Sequence, residues 1–145
     1  MKSKMQTIMV GLSVIVLLAV CVVLVALRTR AGQIAIGKLQ GESLVITPSP
    51  VKLEGKLGEK KGFSVVFNNT TSKQINIIGL GVTCLCVYYG DIPVSIGPGQ
   101  SVEFSLAIEI KANETEEDIV QVASFVTDLP GASYKDVEIK CHIVK

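Results

Sequence analysis

Tryptophan is absent from this chain of 145 residues, and only 5% of its side chains are aromatic. Aromatics so few and scattered give no platform on which bases or sugars could stack. Arginine is absent after position 30, and all thirteen acidic residues lie after position 40. From Ala31 onward ten lysines stand against thirteen acids, a balance near −3, and Lys2, Lys4, Arg28 and Arg30 bring the whole chain to +1. A mildly acidic domain without arginine lacks the basic stripe that phosphate backbones require, so no nucleic-acid partner is expected. The only histidine is His142, no nucleophile has an elbow or an activating neighbour, and no glycine-rich loop leads into a helix. These absences weigh against hydrolase and nucleotide-binding chemistry, and neither an enzyme nor a cofactor is expected.

What the chain has in excess is one apolar run. Residues 5–27 carry no charge, and residues 8–27 are almost wholly apolar. At 1.5 Å per residue such a stretch reaches about 30 Å as a helix, the hydrocarbon thickness of a bilayer. Residues 1–30 therefore read as an N-terminal membrane anchor, with a helix over about 7–27 and the lipid bilayer as its partner. The rival reading is a cleaved secretory signal, whose apolar region usually spans about 7–15 residues and ends at small side chains. Here the run is longer and meets Arg28-Thr29-Arg30 instead. Leu18-Ala19-Val20-Cys21 faintly resembles a lipoprotein motif, but six apolar residues follow Cys21. The flanking charges nearly balance, so they decide orientation weakly. The domain that follows favours a single pass in the cell membrane with the C-terminal part on the extracytoplasmic, periplasmic side.

Residues 31–42 read as a linker and 43–145 as one domain, long enough to bury its own core. From Ser43 apolar residues alternate with polar ones, the pattern of half-buried strands. The inward rows are Phe63, Val65 and Phe67; then Val102, Phe104, Leu106, Ile108 and Ile110; then Val137, Ile139, Cys141 and Ile143. Further strands are predicted over 44–47, 73–83, 84–89 and 118–127, and residues 51–61 read as a weak edge strand with an exposed turn. About seven short strands without a helical period after the anchor predict an all-β sandwich of two sheets.

The order of features from Phe67 onward resembles a bacterial family of unknown function with an immunoglobulin-like fold. Its members carry a Phe-x-Asn turn, an apolar strand ending in Cys-Gly-Cys-Thr, and an Ile-x-Pro-Gly segment before an alternating strand. Here these pieces are Phe67-Asn68-Asn69, residues 75–82 running into Cys84-Leu85-Cys86, and Ile96-Gly97-Pro98-Gly99, followed by Thr127-Asp128 and a last strand over 137–144. Leu85 and Val87 depart from the motif, and Cys141 stands where the family often has glycine. The likeness implies an extracytoplasmic, often membrane-anchored module and no particular activity.

Cys84-x-Cys86 is the feature with most chemical potential. Residues two apart in a strand share a face, so both sulfurs could meet one metal ion, as candidate ligands for copper(I) or zinc, but two ligands do not close a site. Cys141-His142 supplies no second pair, because neighbours in a strand point to opposite faces. Small apolar core residues are the plainest reading of these cysteines. A disulfide from Cys141 to Cys84 or Cys86 comes next, and a Cys84–Cys86 bridge is disfavoured in extended chain because the side chains lie too far apart. The acidic residues Glu114, Glu116, Glu117 and Asp118 read as a solvated hairpin tip rather than a calcium loop. The expected function is a membrane-anchored envelope protein whose sandwich binds or positions another envelope or membrane protein, with thiol or copper handling through Cys84 and Cys86 as the alternative.

Overall fold

The computed structural model describes residues 14–25, 29–84, 86–111, 118–131 and 133–144. Helix α1, Val14–Val25, is the described part of the expected anchor, whose residues 7–13 and 26–27 lie outside the described residues. Its large apolar side chains are 52–68% exposed, so nothing in the described protein covers them. No single described helix is long and apolar enough to cross a membrane. Val14–Val25 and Arg30–Leu39 meet the length and composition test only as a pair, bent by 99°.

The expected linker is largely a second helix, α2, Arg30–Leu39. Thr29 caps it, its hydroxyl accepting from the Gly32 amide at 3.1 Å. Gln33 and Gly37, one turn apart, face the domain: Gln33 Nε2 donates to the Ser49 carbonyl at 3.2 Å, and Arg30 Nε to Thr47 Oγ1 at 3.3 Å. Gly37 is the buried residue of the helix, and a Cβ there would overlap Val45 Cγ2. A hydrogen bound to Cα is thus what lets α2 lie directly on the first strand. Three glycines in this stretch concealed the helix, because glycine lowers helix propensity and only tertiary packing compensates for it.

Nine strands follow among the described residues: β1 Leu44–Thr47, β2 Val51–Gly55, β3 Lys60–Asn69, β4 Ile75–Val82, β5 Val87–Tyr89, β6 Val94–Ile96, β7 Ser101–Glu109, β8 Asp118–Thr127 and β9 Tyr134–Ile143. They form two sheets, β1-β3-β7-β5 and β2-β9-β8-β4-β6. The two-sheet sandwich was expected; the strand count was not. Pro48-Ser49-Pro50 interrupts what would be one long first strand, since proline offers no ladder donor. The chain then changes sheets: β1 pairs antiparallel with β3, and β2 runs parallel to β9. The predicted strand over 84–89 shortens to Val87–Tyr89 because the chain turns at Cys84–Cys86, and β6 is a three-residue strand that the alternation was too short to reveal.

The predicted inward rows hold. Phe104, Leu106, Ile108 and Ile110 are buried, as are Val65 and Phe67, while Val102 and Phe63 are partly covered at the rims. Val137, Ile139, Cys141 and Ile143 all point inward. At the centre Phe67, Phe104 and Phe125 meet edge to face or tilted, with centroids 4.9–5.9 Å apart. A bulge between Ile77 and Gly79 shifts the parity of β4, so Ile75 and Ile77 are buried before it, Ile78 faces solvent, and Leu80 and Val82 pack against the core after it.

The motif pieces Phe67-Asn68-Asn69 and Ile96-Gly97-Pro98-Gly99 touch in space. Asn69 Nδ2 donates to the carbonyls of Lys73, Ile96 and Gly97 at 2.7–3.0 Å, and its Oδ1 accepts from Thr71. Asn68 Nδ2 donates to Val45 and Val66 carbonyls, and its Oδ1 accepts from Ser101 Oγ at 2.8 Å. Both asparagines are buried, and their full satisfaction explains how the core tolerates them. Gly99 at φ 65° makes the turn that returns the chain into β7.

Candidate functional site

Cys84 and Cys86 sit where the chain leaves the end of β4 in one sheet and enters β5 at the edge of the other. They are joined to each other by a disulfide, with Cα atoms 5.2 Å apart. This corrects the expected pairing of Cys141 with Cys84 or Cys86. Extended geometry would separate residues two apart too widely, but a turn brings them within the usual Cα range for a bridge. Val87 N donates weakly to the Cys84 carbonyl at 3.5 Å across that turn, and Cys86 N–H donates to Cys84 Sγ at 2.9 Å.

The two sulfurs lie in different surroundings. Cys84 is partly exposed, whereas Cys86 is 5% exposed and its carbonyl accepts from Glu109 N at 2.9 Å. Cys141 is free and buried in a separate cluster with Ile110, Ile119 and Ile143. Burial pushes its thiol above the ordinary value, Glu59 adds to the rise, and Lys61 opposes it. His142 points outward, as expected, and its Nδ1 lies 2.8 Å from Asp118 Oδ1. Of the predicted acidic tip only Asp118 is described; Glu114, Glu116 and Glu117 lie outside the described residues. Among the described residues no group of three or more His, Cys, Asp or Glu is placed to hold a metal ion. A bridged Cys84 and Cys86 also present no thiolate to one.

The second candidate surface is β5, which among the described residues pairs with β7 alone and leaves its other edge without a strand. Glu109 N bonds to the Cys86 carbonyl and Gly90 N to the Ser105 carbonyl, so residues 86, 88 and 90 face β7. The backbone groups of Tyr89 point to the open edge by alternation. Beside them Tyr88 is held by its hydroxyl, which donates to Glu109 Oε2 at 2.7 Å, and by Lys60 Nζ at 3.9 Å from its ring centroid. That hydrogen bond raises the phenol above its ordinary value. The opposite edge is different: β1 is buried along its whole length, with Leu44 and Ile46 in the core, Val45 against Gly37 of α2 and Thr47 bonded to Arg30. Sequence reasoning missed both features. Thr29 followed by Gln33 and Gly37 at helical spacing was the signal for α2, whereas nothing in a three-residue strand announces an edge.

No protein-family model and no curated protein matches this sequence. Solved structures resemble it in fold. A protein of unknown function from Porphyromonas gingivalis matches with a TM-score of 0.56 and 16% identity, over 69% of this chain and 46% of that one. The CupB2 chaperone of Pseudomonas aeruginosa matches at 0.52 and 6%, over 68% and 55%. The PapD-like domain 7 of human CEP192 matches at 0.51 and 9%, over 71% and 86%. The chain thus spans about half the length of the first two. At such identities the likeness is one of architecture, an immunoglobulin-like β-sandwich.

Proposed function

We propose that this protein is a membrane-tethered binding module of the cell envelope, single-pass, with its sandwich on the extracytoplasmic side. The observation that carries this reading is the uncovered apolar surface of α1, continuous in sequence with the uncharged run 8–27. A contiguous apolar surface of that kind is costly in water and favourable in lipid. The Cys84–Cys86 bridge supports the extracytoplasmic side, because disulfides persist in oxidising compartments. On this reading the chain is one of the bacterial immunoglobulin-like modules whose motif order it resembles. Its work is binding or structural rather than catalytic.

Docking of α2 on β1 holds the connector against the sandwich. The partner is another envelope or membrane protein, and the open edge of β5 is its docking strand, since an unpaired edge is a template for strand addition. Full-length protein is expected to stay in the membrane pellet after carbonate washing, and a variant beginning at Thr29 to be released as soluble protein. An export-dependent reporter fused after Lys145 should be active. A photo-crosslinker at Tyr89 should capture the partner in intact membranes, with yield lost when Tyr88→Ala is added, and a photo-crosslinker at Glu138 on the other sheet should not capture it. Release of the full-length protein by carbonate alone would sink the tether, and equal yields at both surfaces would sink the edge.

A further inference from the structure

We propose that the Cys84–Cys86 bridge is a thiol–disulfide exchange site, which oxidises a dithiol in a reduced, unfolded polypeptide by one equivalent per chain. The bridge is a weak staple. Cross-links stabilise mainly by closing long loops, and this one joins residues two apart. The crossover is held without it: Thr83 N donates to the Val122 carbonyl, Thr83 Oγ1 to Gln121 Oε1, and Glu109 N to the Cys86 carbonyl. A bond that the fold does not need is free to open and close.

The unequal burial gives the exchange a direction. Cys84 packs against the core but is only partly buried, whereas Cys86 is 5% exposed, so the incoming thiolate attacks Cys84. Attack on Cys84 Sγ forms a mixed disulfide and expels Cys86 as a thiolate, which takes up the proton released by the client thiol. The client's second thiolate then attacks its own sulfur in the mixed disulfide and expels Cys84. The departing Cys84 thiolate meets the Cys86 N–H, already 2.9 Å from its sulfur, which stabilises the charge until the second proton arrives. Two electrons and two protons pass from client to protein; the client gains one S–S bond and Cys84–Cys86 becomes a dithiol. Cys141 does not intercept the intermediate, being 1% exposed in the separate cluster.

This goes beyond tethering and docking, and its test is independent of both. Full-length Cys21→Ser protein in detergent is mixed with a reduced, unstructured peptide carrying two cysteines, quenched in acid, alkylated and weighed by mass spectrometry. Peptide disulfide should appear in step with new thiols at Cys84 and Cys86, and faster than with an oxidised Cys-Leu-Cys peptide at equal concentration. In the Cys86→Ser variant Cys84 should react with an aromatic disulfide in the folded protein. In Cys84→Ser the remaining Cys86 should react only after urea unfolding. Exchange no faster than with the short peptide would overturn the proposal, as would equal reactivity of the two single variants. Where a variant fails to fold, the wild-type rate comparison alone decides.

Discussion

Replacing Phe104 with alanine tests the arrangement of the core at its centre. Phe104 is 5% exposed, and its ring lies 5.7 Å from that of Phe67 and 5.9 Å from that of Phe125. Burying a phenylalanine is worth about 1.5–3 kcal/mol in transfer alone, and the void left between two sheets that cannot close up adds to it. Measured truncations of buried aromatics cost about 3–5 kcal/mol, with the aromatic contacts included. Against a total stability of about 5–15 kcal/mol this removes a large share, and at about 4–8 °C per kcal/mol the melting midpoint should fall by at least about 12 °C. Glu103, the next residue, faces solvent and accepts a hydrogen bond from Ser64 Oγ across the β3–β7 pair. Its replacement by alanine should cost under about 1 kcal/mol. The chain has no tryptophan, so urea unfolding is best followed by circular dichroism. Equal losses at the two positions, or a loss below about 1.5 kcal/mol at Phe104, would refute the register of β7 and the packing argument built on it.

Gly37→Ala should lift α2 from β1, seen as faster amide exchange in residues 30–40 with the sandwich still folded; adding Val45→Ala, which removes the overlapping methyls, should restore protection. Asp128 accepts from the Asn76 backbone N–H at 2.8 Å and from its side-chain amide, and these bonds, the backbone one first, hold its carboxyl below the ordinary 3.8. A depressed carboxyl contributes stability that is present above its unfolded value and lost as pH falls through the folded one. Asp128→Asn should therefore flatten the acid limb of the stability profile below about pH 4 while lowering stability at neutral pH. Cys141, with its thiol raised by burial, should resist alkylation in folded protein and react after unfolding; rapid labelling in the native state would contradict its place in the core.

The sandwich was legible because its long strands bury one face each. Ser101–Glu109 and Tyr134–Ile143 alternate without a break, and period two is a direct image of which side chains reach the core. Legibility failed wherever geometry depended on something other than that period. The bulge at Ile77–Gly79 shifts parity by one residue, so the inward positions of β4 pass from Ile75 and Ile77 to Leu80 and Val82, a shift that no period in the sequence marks. β1 and β2 read as separate fragments around Pro48-Ser49-Pro50, and the alternation carried no sign that they belong to different sheets. The helix α2 was hidden for a different reason. Its glycine content argues against a free helix, and it exists because Gly37 permits contact that a larger residue would prevent.

The cysteine turn shows the same dependence on context in its chemistry. Two cysteines separated by one residue were read on an extended strand, where they share a face but stand too far apart to join. Once β4 ends at Val82 and the chain turns toward the other sheet, the same spacing becomes short enough for a bond. The turn in turn follows from the topology, because a crossover between sheets must bend sharply to seat Val87 beside Ile108 on the far layer. What the site can do is therefore decided by strands some distance away in sequence. β7 fixes Cys86 through the Glu109 amide, β8 holds Thr83, and Cys84 is left as the less buried cysteine of the two. The asymmetry on which exchange chemistry depends is a consequence of the sandwich, not of the Cys-x-Cys pattern itself.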